Sequence, residues 1–498
     1  MRTTLRRSCD ACAKAKLSCD LRTPQCSRCI KRKSTCAYAN EPLTTSPNAY
    51  ASYSATSVSS TPAVEESSII AVNGRITPTF EGGPGGILNP AIASFDPFDS
   101  YPPARLPRVL IQRLIHHFLS NIAFQYYPLD LNPGSNPFII MWWPRALADP
   151  ALFHVSLQTA SLDQELRSRK GFPISELLMT DSVSLVRRRI EDSSLAIQDE
   201  TMNSVVTLAA IEVKSPLLPW RRVYNINKSY EQHGKGNFEA SRIHIDGVKR
   251  IVSIRGGINE IKRTSPLTAR MVPWTSLLVT GVPQFETQDD FGCGSGIEST
   301  LQWQLASMAS DQQEVSLDNF DVDPAVGNIL ARLRSIFHEP QLFNLTTTEL
   351  HDLTCFVVHK LLLLPPLSPA HPMQTSTSEC LRYALVLYML NIHGTTYYSC
   401  HHLVNTILVQ LKKYYVALSH ANDPHGSLGI WLSSVGIMAC TSTTDHQWFM
   451  DLACAAAAAR SLHKWEDVLS HLQSVLWVRT QHEAALRGKW EEIISKVY

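Results

Sequence analysis

Six cysteines within the first 36 residues constrain this 498-residue chain more than any other feature of it. Cys9, Cys12, Cys19, Cys26, Cys29 and Cys36 follow the spacing C-x2-C-x6-C-x6-C-x2-C-x6-C. Moving Cys9, Cys12 and Cys19 forward by 17 positions gives Cys26, Cys29 and Cys36, so the segment is two copies of one half-unit. A piece this short, with so few aliphatic side chains, cannot fold on apolar burial. Metal binding has to supply its folding free energy.

Ligand counting sets the expected stoichiometry. Tetrahedral zinc takes four ligands, with thiolate sulfur at about 2.3 Å. Two ions need eight ligand positions, which six thiolates fill if two of them bridge. The first histidine of the chain is His116, so no mixed Cys/His site competes. A one-zinc ribbon using Cys9, Cys12, Cys26 and Cys29 is the alternative, and it leaves Cys19 and Cys36 idle. Six thiolates with two Zn²⁺ carry −2, which surrounding lysines and arginines offset. The expectation is two Zn²⁺ per chain.

Charge is divided along the chain. Residues 1–36 hold ten basic side chains, among them Arg7, Lys14, Lys16, Arg28, Lys31, Arg32 and Lys33, against Asp10 and Asp20, a net +8. The whole chain is only +1, so the remainder is −7. A compact basic end on a mildly acidic body implies a polyanionic partner for that end alone. The run from Arg28 to Lys33 reads equally as a solvated face or a nuclear import signal. No apolar core follows the charged N-terminus, so no secretory signal is expected. No run reaches the roughly 18 apolar residues of a bilayer span. Cys355 to Leu367 comes nearest and is broken by His359, Lys360 and Pro365–Pro366. No membrane association is expected, and the cysteines are expected as thiols or metal ligands rather than disulfides.

The stretch Arg7-Ser-Cys-Asp-Ala-Cys-Ala-Lys-Ala-Lys-Leu-Ser-Cys-Asp, continuing through Pro24-Gln-Cys-Ser-Arg-Cys to Cys36-Ala-Tyr38, resembles the fungal binuclear zinc-cluster DNA-binding domains. The resemblance implies that Cys9 and Cys26 bridge the metals and that a short helix follows each C-x2-C pair. It also implies that the first helix enters the major groove of double-stranded DNA over a CGG-like triplet. Lys16 stands where that family's base-contacting lysine stands, and Pro24 matches its loop proline. Ala13, Ala15 and Ser18 depart from the basic residues common there, which shifts expected phosphate contact to Lys14 and to Arg28, Lys31, Arg32 and Lys33. Asp96–Pro102, Trp142–Pro150, His244–Ile258 and the tryptophan-spaced tail Trp465–Trp490 resemble segments that follow the linker in such regulators. The implied setting is the nucleus, with coregulators or the transcription machinery as further partners. Many relatives dimerise through a coiled coil next to the cysteines. No heptad repeat follows them here, so a monomer or a homodimer formed elsewhere is left open.

The expected organisation is a zinc-cluster module over 1–40, a disordered linker over 41–104 and a large all-α domain over 105–498. Pro42 to Pro62 is Ser, Thr, Ala and Tyr with almost no aliphatics, and Gly82–Gly86 breaks regular structure. From Arg105 the apolar spacing becomes helical: Leu110, Leu114, Phe118 and Ile122, then Leu403, Ile407, Leu411, Tyr415 and Leu418, then Trp465, Leu469, Leu472 and Leu476. Asp149–Pro150 reads as a helix start over Ala151–Leu166 and Gly256–Gly257 as a helix stop.

Catalytic motifs are lacking in this body. His482–Glu483 has no second histidine at metalloprotease spacing, and Gly292–Gly296 fits neither a phosphate loop nor a nucleophile elbow. Cys293, Cys355, Cys380, Cys400, Cys440 and Cys454 read as buried core thiols, with His401–His402 beside Cys400 as a weaker metal candidate. Asp311–Asp323 and Phe95–Tyr101 mix acidic and apolar residues, as activation segments and ordinary acidic loops both do. The leading reading is a sequence-specific transcription regulator and not an enzyme. Its rivals are a zinc-dependent protein-interaction module without DNA readout, and an enzyme or small-molecule sensor in the helical body.

Overall fold

A computed structural model describes residues 10–15, 27–32, 34–35, 101–126, 132–168, 171–212, 231–310, 322–338, 345–367, 372–394, 397–398, 400, 401–419, 425–440, 443–478 and 483–498. The chain divides into two units, Met1–Pro84 and Gly85–Tyr498. The first holds α1 (Asp10–Lys14) and α2 (Ser27–Arg32), which pack on each other.

The second unit is helical. It opens with α3 (Arg108–Ser120), a 3-10 turn (Ile122–Phe124) and a π-turn (Phe138–Trp142). Next come α4 (Trp143–Ala148), α5 (Pro150–Ser168), α6 (Pro173–Glu191), α7 (Ser193–Ala196), α8 (Asp199–Glu212), α9 (Glu231–Ile254), α10 (Ile258–Thr264) and α11 (Pro266–Thr280). Then follow α12 (Leu301–Ser310), α13 (Pro324–His338), α14 (Thr347–Leu363), α15 (Pro372–His393) and α16 (His401–Ser419). The last are α17 (Ser427–Ala439), α18 (Thr443–Arg460), α19 (Trp465–Val475) and α20 (Glu483–Val497). Among the described residues the only β-type pairing is an isolated bridge between Thr287 and Ile297. None of their helices is long and apolar enough to cross a membrane.

Local signals set several helix ends. The Asp149 carboxylate accepts the Leu152 N–H at 2.8 Å, with Pro150 at the first helical position, so α5 starts where the sequence indicates. At the end of α9, Gly256 takes φ +87° and the Gly257 N–H bonds Val252 O at 2.9 Å, a left-handed cap. α14 starts with a reciprocal cap: Thr346 Oγ1 accepts the Glu349 N–H, and Glu349 Oε2 accepts the Thr346 N–H. At the other end of α14, the buried Arg382 guanidinium donates to the carbonyls of Leu361, Leu362 and Leu364.

One contiguous apolar core runs through this unit. Leu403, Ile407, Leu411, Tyr415 and Leu418 all face it, as their spacing requires. The α3 stripe is rotated slightly from expectation: Ile111, Leu114, Ile115 and Phe118 are buried, whereas Leu110 only packs at the edge. In α19, Trp465 and Leu472 are buried with the following Leu476, and Leu469 is half-buried. Six tryptophans, Trp142, Trp143, Trp274, Trp303, Trp431 and Trp490, are fully enclosed. Four of their indole N–H groups have named acceptors: Ser156 Oγ for Trp142, Asp290 Oδ1 for Trp303, Leu476 O for Trp431 and Ser434 Oγ for Trp490. Four of the six large rings therefore enter the core with their polar ends paired, whereas the buried Trp143 and Trp274 indole N–H groups have no hydrogen-bond partner among the described residues. Tyr101 joins the same core by stacking on Phe153, centroids 5.7 Å apart.

The cysteine expectation needs correction. Cys355 and Cys380 are buried thiols, and burial pushes both well above the ordinary thiol range. Cys293 is exposed, and Cys400, Cys440 and Cys454 are only half-buried. Cys293 sits in a glycine-rich loop where Asp289 Oδ1 accepts the Phe291 and Cys293 N–H groups, so the turn points the thiol outward. Among the described residues no cluster of three or more His, Cys, Asp or Glu side chains could hold a metal, His401–His402 included. The acidic segment lies outside the described residues from 311 to 321, as do residues 95–100.

Candidate metal centre and nucleic-acid interface

The two half-units of the cysteine module form equivalent local structures. α1 begins at Asp10 and α2 at Ser27, the same 17-residue displacement that relates the cysteines. Each helix starts inside its C-x2-C pair and carries the second cysteine of that pair. Cys12 is 3% exposed and Cys29 is 2% exposed, whereas Ile30, the aliphatic residue beside Cys29, is 56% exposed. Among the module's described residues the buried side chains are therefore cysteines, and the aliphatic Ile30 is left outside. Helices of five and six residues have no independent stability in water. Buried thiols at matched positions on two such helices suit soft-ligand, tetrahedral zinc.

The basic residues follow the same repeat. Lys14 and Lys31 each lie two positions after the buried cysteine of their half-unit, and both are exposed. Arg32 is exposed and Arg28 is half-buried. Backbone bonds close the helices at Ala15 N–H to Ala11 O and Ser34 N–H to Cys29 O, both 3.1 Å. Arg7, Cys9, Lys16, Cys19, Cys26, Lys33 and Cys36 lie outside the described residues.

Residues 7–46 match the fungal Zn(2)-Cys(6) binuclear cluster domain. Residues 113–278 match the fungal specific transcription factor domain. The chain thus carries the fungal zinc-cluster domain followed by the fungal specific transcription factor domain. It binds two zinc ions, and it is a transcription factor rather than an enzyme. No curated protein and no solved structure matches the chain.

The second matched stretch runs from α3 into α11 and contains two of the segments singled out in the sequence, Trp142–Pro150 and His244–Ile258. In this zinc-cluster factor both segments converge on Asp199, the first residue of α8. Arg145 Nη1 lies 3.1 Å from Asp199 Oδ2, and the Arg255 guanidinium bonds the other oxygen. Arg145 also donates to Ser265 Oγ at 3.0 Å, and Arg255 to Thr264 Oγ1 at 3.0 Å. Close by in sequence, Arg189 binds the Asp149 carboxylate and donates to Thr201 Oγ1 at 2.7 Å and Gln198 Oε1 at 2.9 Å. These charges tie α4, α5, α6, α8 and α9 together and are consumed in doing so. Asp199 and Arg189 had no motif to announce them, because their partners lie tens of residues away.

Other titratable groups of the body are likewise engaged in structure. Burial raises the Asp290 carboxyl, but hydrogen bonds from Lys360 and Trp303 and the charge of Arg332 outweigh it and hold the group below the usual range. His351 Nδ1 and His393 Nε2 meet at 2.9 Å beside Trp274, and burial keeps both imidazoles neutral. Burial lifts Tyr126 to about 12, where its hydroxyl accepts from Tyr398 at 3.3 Å.

Proposed function

We propose that this protein is a sequence-specific, nuclear DNA-binding regulator whose cysteine module reads a CGG-like triplet in the major groove of double-stranded DNA. The observation that carries the reading is the paired placement of exposed Lys14 and Lys31 on helices whose opposite sides bury Cys12 and Cys29. Six thiolates, from Cys9, Cys12, Cys19, Cys26, Cys29 and Cys36, hold the two ions, with Cys9 and Cys26 as bridges. Zinc supplies the covalent interior that fixes both helices. Lys16 reads base edges, while Arg7, Lys14, Arg28, Lys31, Arg32 and Lys33 contact phosphates and set the register. The module spans 1–40, a linker 41–104, and residues 105–498 form the regulatory body that meets coregulators or the transcription machinery.

Selection of binding sites by the full-length protein from a random duplex pool tests this reading. Enrichment of CGG-like triplets is the expected result. No enrichment by protein carrying two zincs per chain would favour a zinc-dependent protein-interaction module instead. Lys16→Ala should flatten base preference, whereas neutralising a phosphate-contacting lysine should weaken all sequences alike and lower the salt slope by about 0.9.

A further inference from the structure

The outward stripe of α9 has the form of a self-complementary contact surface. Ser241, Ile245, Val248 and Val252 bury one side of this helix. Ile243 and Ile254 lie on the opposite side and are 64% and 68% exposed. They are eleven residues apart, which is three turns plus about 20°, so they share one stripe about 16 Å long. Gly247 and Arg250 lie between them on that stripe, with Asp246 at its edge. A Cβ added at Gly247 would have nothing within 4 Å, so the middle of the stripe is open backbone. Glycine inside an exposed helix costs about 1 kcal/mol relative to alanine, and it permits close approach by another backbone. Asp246 and Arg250 are both exposed, and neither makes an ion pair among the described residues.

The arrangement of these residues identifies the occupant. Ile243 and Ile254 are centred between Val248 and Lys249, and Asp246 and Arg250 are centred at Val248. The two centres coincide to within half a residue, about 0.75 Å along the axis. An antiparallel copy of the same helix, related by a two-fold axis there, sets Ile243 against the second copy's Ile254 and Asp246 against its Arg250. Each contact occurs twice, as an isologous interface requires. A nucleic acid does not fit a stripe of two isoleucines, a glycine and one charge of each sign. We infer that this stripe of α9 is a homodimer surface that brings two copies of the chain together without a coiled coil. One helix crossing buries less area than a permanent dimer needs, so the association is weak and reversible. Paired DNA sites would reinforce it by raising the effective concentration. The inference does not depend on which bases the module reads.

Sedimentation equilibrium of the full-length, zinc-loaded protein without DNA, over a concentration series reaching about 100 µM, tests it. A reversible monomer–dimer equilibrium is expected. Asp246→Lys and Arg250→Glu should each weaken it by roughly tenfold or more, since each puts like charges together at two places. Mixing the two single variants should restore association, because the introduced lysine then faces the introduced glutamate while the native Asp246 and Arg250 still pair. A protein that stays monomeric throughout would overturn the inference. So would a dimer indifferent to both substitutions, or two weakened variants that fail to associate with each other.

Discussion

The cysteine module and the helical body solve the same folding problem with opposite materials. Among the module's described residues the buried side chains are Cys12 and Cys29, and the neighbouring Ile30 is left in solvent. In the body six tryptophans and a continuous aliphatic core are enclosed, and four of the indole N–H groups find acceptors such as Ser156, Ser434 or Asp290. Ordering a few dozen residues costs roughly 1–2 kcal/mol of backbone entropy each, which two short helices cannot offset by burial. Metal–thiolate bonds can. The body has enough apolar material to need no metal, and its charges are spent on fixing helices against one another. The difference teaches that one chain can hold two independently stabilised parts whose failure conditions do not overlap.

Removing zinc should separate them most sharply. Structural zinc contributes about 10–16 kcal/mol of apparent binding free energy in modules of this size. Chelation should therefore unfold the module and abolish DNA binding, while the body keeps its helical circular dichroism and its melting temperature. Coupled loss of both would contradict the comparison. Trp490→Ala is the converse experiment. It empties a fully buried ring site and removes the bond to Ser434 Oγ, so about 3–5 kcal/mol should be lost from the body. Zinc content, measured by atomic emission, should stay at two per chain.

Arg189→Met ranks next. It leaves the buried Asp149 carboxylate, which also caps α5, without its counter-charge and strips Thr201 of a donor. The expected cost is about 3 kcal/mol in chemical denaturation, with affinity for DNA unchanged.

Acid should weaken the body through its buried imidazoles. Burial lowers the His359 pKa to about 4, so the folded chain keeps this ring neutral while an unfolded one protonates it below about 6.5. The unfolded state then binds more protons between those values, and stability present above pH 6.5 is lost as the pH falls towards 4. His359→Leu should flatten that part of the profile, as measured by melting temperature against pH. The smallest effect is expected at Gly247→Ala. The added methyl group meets open space in a helix, so the monomeric body should gain about 0.5–1 kcal/mol. Dimerisation through the stripe should weaken in the same variant.

How legible each region was follows from the range of its interactions. Cysteine spacing announced the zinc stoichiometry and the repeat, because metal ligation is decided by a few residues close together in the chain. Helix ends at Asp149–Pro150 and Gly256–Gly257 were equally readable, since a cap is satisfied within four or five residues. Of the first stripe, Leu114, Phe118 and Ile122 are buried as read and only Leu110 sits at the edge: periodicity gives an angle, but neighbouring helices decide which part of it is covered. The outward turn of Cys293 depends on hydrogen bonds to Asp289, which composition does not reveal.

The sequence by itself determined the module, its metal, its positive charge and the helical character of the rest, all of which rest on local chemistry. Only the tertiary structure decided that Arg145 and Arg255 meet at Asp199, that His351 meets His393, and that two isoleucines of α9 are left facing water. Those outcomes depend on which distant segments share a core, and helical periodicity carries no record of its partner.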